Sequence, residues 1–196
     1  MTIIFRFLLL LCVFLFSNHG FSATHLTLKG SLVNNNLGLN SQENFSGSAS
    51  VAFDIGTYLR LGITHRRAES QIKGYRETSV TNEYRYEEER TDNIANSIDL
   101  TVILYYGRVF VPYIQLGMVR KEYTMTYMIE NLSAIKKQYT LPAVPNAGIG
   151  LGIRLNSDFS LKLSYSVSQG IKQKRPDTPP EGVLDSYTSV GISYSI

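Results

Sequence analysis

The sequence has no tryptophan and a single cysteine, Cys12, among its 196 residues. Cys12 lies in an N-terminal apolar run, so the rest of the chain has no thiol for a disulfide, a thiolate metal site or a cysteine nucleophile. The net charge is only +3, far from the basic excess that is typical of nucleic-acid binding. These absences exclude a disulfide scaffold and a thiol enzyme, and they argue against nucleic-acid partners.

Long apolar runs are also missing after residue 23, where no segment approaches the roughly 20 apolar residues of a transmembrane helix. Before it, Arg6 precedes an apolar run at residues 7–16 and a small-residue site that ends at Ala23. This order predicts a secretory signal peptide over residues 1–23, removed after Ala23. A retained membrane anchor is the alternative, although the run is short for one. The remaining residues, 24–196, are predicted to form one domain.

What this domain does contain is alternation of apolar with small or polar residues, which is the period of a β-strand. The last segment shows it best, because its apolar residues are separated by serine or glycine. That segment is predicted to be a lipid-facing terminal strand through Val190, Ile192, Tyr194 and Ile196. Eight such segments recur, with apolar phases that begin at Leu26, Phe45, Leu59, Ile98, Pro112, Ala147, Phe159 and Val190.

The connections between these segments alternate between long and short. Polar stretches at about 34–44, 66–93, 120–139 and 169–182 are long, whereas residues 54–57, 107–109 and 156–158 make tight turns. This rhythm predicts an all-β protein, an eight-stranded antiparallel up-and-down transmembrane β-barrel. Alternating tyrosines in 84–86 indicate that the third and fourth strands extend beyond the membrane.

The polar face of the segments favours a membrane barrel over a soluble barrel or sandwich. A soluble barrel places large apolar side chains inside, whereas a membrane barrel places them outside and fills its interior with small and polar groups. The second pattern fits here, because the polar face is rich in serine and glycine and poor in charge. We expect a polar network in the lumen made by Lys29, Arg60, Asp99, Gln115, Arg154 and Lys162.

Residues 24–196 resemble the small eight-stranded outer-membrane barrels of the OmpA/OmpX type from Gram-negative bacteria. The resemblance is strongest at the end of the chain, residues 189–196, which looks like the terminal strand that the outer-membrane assembly machinery recognises. Members of the family usually end in an aromatic residue, whereas this chain ends in Ile196. The resemblance implies a monomer integral to the cell outer membrane after export through the periplasm, in contact with lipid, lipopolysaccharide and the assembly machinery.

Basic residues near the long connections are candidates for lipopolysaccharide contact, because Arg and Lys pair well with phosphate. These candidates are Arg66, Arg67, Arg120, Lys121, Lys136 and Lys137. His65 is the one histidine beside them, but no nucleophile can be placed next to it, so an interfacial residue is favoured over a general base. We predict no catalytic residue, no metal site and no cofactor.

The family contains structural proteins, adhesins, narrow pores and a few lipid-modifying enzymes, so the resemblance leaves the task open. We expect a non-enzymatic structural or surface-interaction protein that presents extracellular loops on a rigid barrel. An extracellular protein partner could add a strand to the protruding third and fourth strands. The alternatives are a porin-like narrow pore for small solutes and an outer-membrane lipid-modifying enzyme.

Overall fold

The computed structural model describes residues 24–37, 40–77, 84–105, 107–129, 133–173 and 178–196. The predicted signal peptide, 1–23, lies outside these residues. The described residues form eight strands in chain order. They are β1 (Thr24–Leu37), β2 (Asn40–Asp54), β3 (Leu59–Glu77), β4 (Tyr84–Ile103), β5 (Phe110–Ile129), β6 (Ile135–Arg154), β7 (Phe159–Lys172) and β8 (Glu181–Ser195).

Each strand pairs antiparallel with the next, and β8 pairs with β1 to close the sheet. The closing register runs from His25 opposite Ser195 to Gly30 opposite Val190. Closure satisfies the last open edge of the sheet. The prediction of an eight-stranded antiparallel up-and-down barrel is confirmed. Among the described residues, no helix has the length and apolar character needed to cross a membrane.

The strands run further than the alternation of apolar residues indicated. The polar stretches expected to be long loops are largely strand, since β3 continues to Glu77 and β4 begins at Tyr84. The pattern failed here because a strand with water on its outer face needs no apolar phase. On β6, the strand likewise begins at Ile135, before Pro142 and Pro145.

Those two prolines sit where β6 is an edge. β6 pairs with β7 only from Asn146 to Arg154, so the described residues 135–145 pair with β5 alone. Proline lacks an N–H group and is tolerated on an edge strand, where a missing donor costs no ladder hydrogen bond. The register shifts here because two residues of β6, Pro142 and Ala143, lie opposite the single residue Arg120 of β5, which is a bulge on β6.

Large apolar side chains cover the outside of the barrel near the short turns. Leu28, Ile63 and Ile149 are each at least 60% exposed. We call this belt the apolar band. It ends toward the long connections where exposed Arg67 and Arg120 follow Ile63 and Met118 on the outward phases of β3 and β5. The strands beyond Arg67 and Arg120 are called the upper barrel, and the opposite mouth is called the short-turn end.

The apolar core of the fold lies inside the upper barrel. Ala95, Val119 and Val144 form one buried cluster. Above it, a second cluster consists of Tyr123, Met125, Tyr127 and their partly buried neighbours Tyr139, Leu141 and Ile171. Buried polar residues such as Asn93, Lys121 and Gln173 lie among these apolar clusters.

Candidate functional site in the barrel interior

A cavity of about 640 Å³ occupies the interior at the short-turn end. Turn residues such as Arg108, Asn156 and Asp158 line its mouth, so it opens on that side. The six residues predicted for the lumen polar network all line this cavity: Lys29, Arg60, Asp99, Gln115, Arg154 and Lys162. The cavity is the largest concentration of charged groups inside the described part of the barrel.

Glycines on neighbouring strands make room for these charges. Lys29 on β1 and Lys162 on β7 both pair with Gly191, which lies between them on β8. A Cβ on Gly191 would come within 2.6 Å of the Lys29 side chain and still closer to the Leu28 carbonyl oxygen. Glycine at this position therefore lets a long side chain lie flat across the adjacent strand.

The two lysines cross over Gly191. Lys29 Nζ donates to Ser164 Oγ on β7 at 3.0 Å, while Lys162 Nζ donates to Thr27 Oγ1 on β1 at 3.1 Å. Each ammonium group thus reaches toward the strand from which the other originates. Both interact with neutral hydroxyl groups, so the crossing brings two like charges together inside the barrel.

Asp99 is held separately by neutral donors. Its carboxylate accepts hydrogen bonds from Ser97 Oγ at 2.6 Å, Thr64 Oγ1 at 3.2 Å and Asn146 Nδ2 at 3.1 Å. The residue is 2% exposed, and Gly117 on β5 leaves the space that its side chain fills. A buried carboxylate with three donors is well satisfied.

A chain of polar contacts spans the strands around the closing seam, β8, β1, β2 and β3. Ser195 Oγ lies 2.7 Å from His25 Nδ1, and His25 Nε2 lies 3.0 Å from Asp54 Oδ2. Arg60 Nε donates to the other oxygen of Asp54 at 2.5 Å. Because a carboxylate only accepts, Nε2–H donates to Asp54, and in a neutral imidazole Nδ1 is then the acceptor to which Ser195 donates. We call these four residues the clasp.

Serine, histidine and aspartate in this order resemble a hydrolase triad, in which a base activates a hydroxyl nucleophile. Such a site also needs hydrogen-bond donors for the oxyanion. Here the backbone N–H groups of Ser195 and Ile196 already donate to Asp158 O at 2.8 Å and Thr24 O at 2.9 Å. The clasp therefore ties the barrel closed. Sequence reasoning missed it, because only the pairing of β8 with β1 brings residues 195 and 25 together.

A second group of charges lies inside the upper barrel. Lys121 Nζ donates to Asp185 Oδ2 at 2.8 Å, and Tyr123 Oη donates to the same oxygen at 2.8 Å. Nearby, the Arg66 guanidinium lies 3.5 Å from the ring centre of Tyr187. Burial, and then the Asp185 carboxylate, raise the pKa of Tyr123.

These positions correct the expectation for Arg66 and Lys121. Both were expected at the lipopolysaccharide surface, but Arg66 stacks on an interior ring and Lys121 is 0% exposed. The physical reason is the period of two, since a single residue step moves a side chain to the opposite face of the sheet. Neither residue is available to a lipid outside the barrel.

Of the other four basic candidates, Arg67, Arg120 and Lys136 lie on the outside. The side chains of Arg67 and Arg120 are 66% and 60% exposed, with acidic neighbours Asp92 at 3.8 Å and Glu122 at 3.1 Å. Lys136 is exposed, whereas Lys137 is partly buried on the inward phase of β6, opposite Met125, which corrects the expectation for it as well. On the terminal strand, Val190, Ile192, Tyr194 and Ile196 all project outward and are between 39% and 70% exposed.

A second cavity of about 450 Å³ lies in the upper barrel. The cluster of Ala95, Val119 and Val144, on the adjacent strands β4, β5 and β6, is 2%, 3% and 7% exposed and lines neither cavity. Above it, buried Gln173 accepts a hydrogen bond from Tyr139 Oη at 2.9 Å. Among the described residues, no cluster of histidine and acidic side chains is placed to hold a metal.

Solved structures of other proteins share this architecture. No protein-family model matches the chain, and no curated protein matches it. Among solved structures, Neisserial surface protein A aligns with a TM-score of 0.57 at 15% identity, over 88% of this chain and 98% of that one. The N-terminal β-barrel domain of Pseudomonas aeruginosa OprF gives 0.53 at 14% identity, over 91% and 100%.

A major outer membrane protein from Thermus thermophilus also aligns with a TM-score of 0.53, at 12% identity, over 89% of this chain and 100% of that one. At such low identities the likeness concerns the fold alone. The chain has the fold of the small eight-stranded outer-membrane barrels, and the resemblance to the OmpA/OmpX type is confirmed at that level.

Proposed function

We propose that this protein is an integral outer-membrane protein whose closed barrel is a structural scaffold that presents the upper barrel and its loops at the cell surface. The observation that carries the proposal is the distribution of side chains around the barrel wall. Large apolar groups face outward and charged groups face inward through the apolar band, which is the inverse of a water-soluble barrel.

The apolar band has the character of a lipid contact. A soluble monomer rarely exposes a contiguous apolar patch of more than a few hundred Å². Here the exposed side chains form a belt on every strand, for example Leu28, Ile63, Leu116, Ile149 and Ile192. In barrels of this type the apolar belt is about 25 Å tall and the short turns face the periplasm. We therefore assign the short-turn end to the periplasm and the upper barrel to the exterior.

The closed interior favours a scaffold function rather than a pore function. A continuous solute path would have to pass the buried cluster of Ala95, Val119 and Val144 on one side of the lumen and the stacked side chains of Arg66 and Tyr187 on the other. An eight-stranded barrel has an interior that side chains just fill. The upper part is also tied across the lumen by Lys121 and Asp185. Non-enzymatic function is part of this proposal, supported by the occupied oxyanion-type donors at the clasp.

The surface of the upper barrel carries the interactions we propose. Arg67, Arg120 and Lys136 lie at or beyond the outer end of the apolar band, where lipopolysaccharide phosphates would lie. Further out, the rings of Tyr75 and Tyr86 meet edge to face at 5.6 Å between strands β3 and β4. This protruding pair of strands is the site at which an extracellular partner would bind.

Membrane fractionation followed by gel electrophoresis with and without boiling tests the membrane assignment. A folded outer-membrane barrel resists detergent and migrates differently from its boiled form. We expect the protein in the outer-membrane fraction with such a mobility shift. Recovery from the soluble periplasm without a shift would contradict the proposal.

Planar-bilayer recording distinguishes a scaffold function from a pore function. The purified protein is expected to give no reproducible channels, because the two interior cavities are separate. Regular single-channel openings would contradict the scaffold proposal and favour the narrow pore. Mass spectrometry of lipid A from cells with and without the protein covers the enzymatic alternative, and a changed acyl pattern would contradict a non-enzymatic role.

A further inference from the structure

The lower cavity has more positive than negative side chains. Its lining contains five basic residues, Lys29, Arg60, Arg108, Arg154 and Lys162. The three acidic ones are Asp54, Asp99 and Asp158. Two of these acids are already occupied, because Asp54 is bound by Arg60 and His25 and Asp99 by three neutral donors. The positive charge is therefore incompletely balanced inside the cavity.

Lys29 and Lys162 concentrate this imbalance. Their ammonium groups donate to Ser164 and Thr27, and no carboxylate of the described residues forms a salt bridge with either. An ammonium group has three protons to donate, so each retains further donors. A buried charge without a counter-charge is unfavourable, and two like charges in one cavity add their mutual repulsion.

The neighbouring hydroxyl groups are held by one another and fix the positions of the two lysines. Thr27 donates to Ser193 at 2.9 Å, and Ser164 and Ser189 share a hydrogen bond of 2.8 Å. Charge-assisted hydrogen bonds from lysine are a usual way to bind phosphate and carboxylate groups. The volume of about 640 Å³ is in the range of small-molecule pockets, so the space admits more than an isolated ion.

We propose that the crossed pair Lys29 and Lys162 forms a binding site for a small oxyanion, a phosphate-bearing or carboxylate-bearing solute that enters through the short-turn end. The anion sits between the two ammonium groups and neutralises their repulsion. Arg108 and Arg154 at the mouth draw it inward. The lower cavity is separate from the upper one, so the solute is held and not conducted.

The periplasmic origin of this solute rests on the proposed function, whereas the binding site itself does not. The test therefore uses the full-length gene product purified from membranes in an uncharged detergent, titrated with inorganic phosphate in a calorimeter. We expect saturable binding of one phosphate per barrel. Gel mobility with and without boiling is recorded on the same sample, so a failed barrel and a failed binding site are told apart.

Two substitutions locate the site. Lys29→Gln and Lys162→Gln are each expected to weaken phosphate binding about tenfold, because a hydrogen bond to a charged group is lost. Lys73→Gln is the matched control, since Lys73 lies near the far end of β3, outside the cavity lining. Folded Lys29→Gln and Lys162→Gln variants that bind phosphate as tightly as the unsubstituted protein would overturn the proposal.

A second measurement, made on the unsubstituted protein, tests the proposal even if the two lysine variants do not fold. Phosphate at concentrations low enough for its general salting-out effect to be negligible is expected to raise the melting temperature of the unsubstituted protein more than chloride of equal ionic strength does, because a ligand of the folded state stabilises it. Equal effects of the two salts would overturn the proposal. Binding of an anionic phospholipid in mixed micelles, with no binding of free phosphate, would likewise overturn it and identify a lipid headgroup as the ligand.

Discussion

Lys121 on β5 and Asp185 on β8 meet inside the upper barrel, with 2.8 Å between Nζ and Oδ2. The two strands are not neighbours in the sheet, so this ion pair joins opposite parts of the wall across the lumen. The lysine side chain is 0% exposed and the aspartate side chain 22%. The pair therefore acts as an internal brace just beyond the apolar band.

Removing one partner of this brace should be costly. Asp185→Ala leaves the Lys121 ammonium group buried without a counter-charge, so we expect the free energy of unfolding to fall by about 3–5 kcal/mol. Urea titration of the barrel in lipid vesicles measures it. The exposed pair of Arg120 and Glu122 is the control, and Glu122→Ala should change stability by less than about 1 kcal/mol. Equal effects of the two substitutions would show that Lys121 is not desolvated.

The glycines of β6 give a prediction with its control on the same strand. The ring of Tyr113 lies over Gly150, where an added Cβ would overlap Tyr113 Cζ. Gly150→Ala must displace this buried ring and should reduce stability by about 1–3 kcal/mol. At Gly152 the Cβ would meet Val111 at an ordinary 3.5 Å.

The Gly152→Ala substitution should therefore be nearly neutral in the same urea titration. If Gly150→Ala is also neutral, the Tyr113 ring does not occupy that space. A larger loss for Gly152→Ala than for Gly150→Ala would reverse the order that the geometry requires and contradict the described packing.

Tyrosine ionisation should weaken the upper barrel at high pH. Burial, and then Glu89 and Tyr139, raise the pKa of Tyr127 to about 12. An unfolded tyrosine titrates near pH 10, so between about pH 10 and 12 only the unfolded state loses this proton. Stability is therefore full below pH 10 and falls as pH rises through this window. Tyr127→Phe should reduce the fall in the urea midpoint between pH 9 and 11.5 (roughly the ends of that window), and an unchanged fall would contradict burial of the phenol.

The last residue of the chain gives a prediction about assembly. Ile196 is 70% exposed, while its backbone N–H and C=O both bond to Thr24 at 2.9 and 3.1 Å. The closing contact thus depends on the backbone, and the side chain is free to change. Ile196→Phe should assemble into the outer membrane as well as or faster than the unsubstituted protein, measured by pulse labelling and the mobility shift on gels. Impaired assembly would contradict this interpretation of the terminal strand.

The alternation of apolar with small or polar residues predicted those strand segments whose two faces lie in different environments. Residues such as Val190 and Ile192 meet an apolar exterior while Ser189 and Gly191 face the interior, so the sequence has a period of two there. The six cavity-lining polar residues follow from the same phase. In the upper barrel the outer face meets water, so polar side chains occupy both faces. The alternating tyrosines of 84–86 did predict that β3 and β4 extend there, but the apolar pattern did not give their limits at Glu77 and Tyr84.

The alternation pattern could not predict contacts between segments that are far apart in the sequence. The phase of β5 did predict which face carries residue 121, but the polar stretch was interpreted as a loop and Lys121 was assigned to the surface. The link from Ser195 through His25 to Asp54 required the closing register of β8 on β1. Predicting the partner of Lys121 would have required the diameter of the barrel, because it is the diameter that brings β5 and β8 within reach of each other.

The central claim is that the apolar face of the wall contacts lipid. Cys12 is the only native cysteine, so a Cys12→Ser background permits single cysteines on β8. Spin labels at positions 188, 190, 192 and 194 should be accessible to a lipid-soluble relaxant in reconstituted membranes, whereas labels at 189 and 193 should not. Accessibility that alternates with a period of two in this phase is the predicted result. Uniform accessibility, or the opposite phase, would contradict a membrane-spanning barrel.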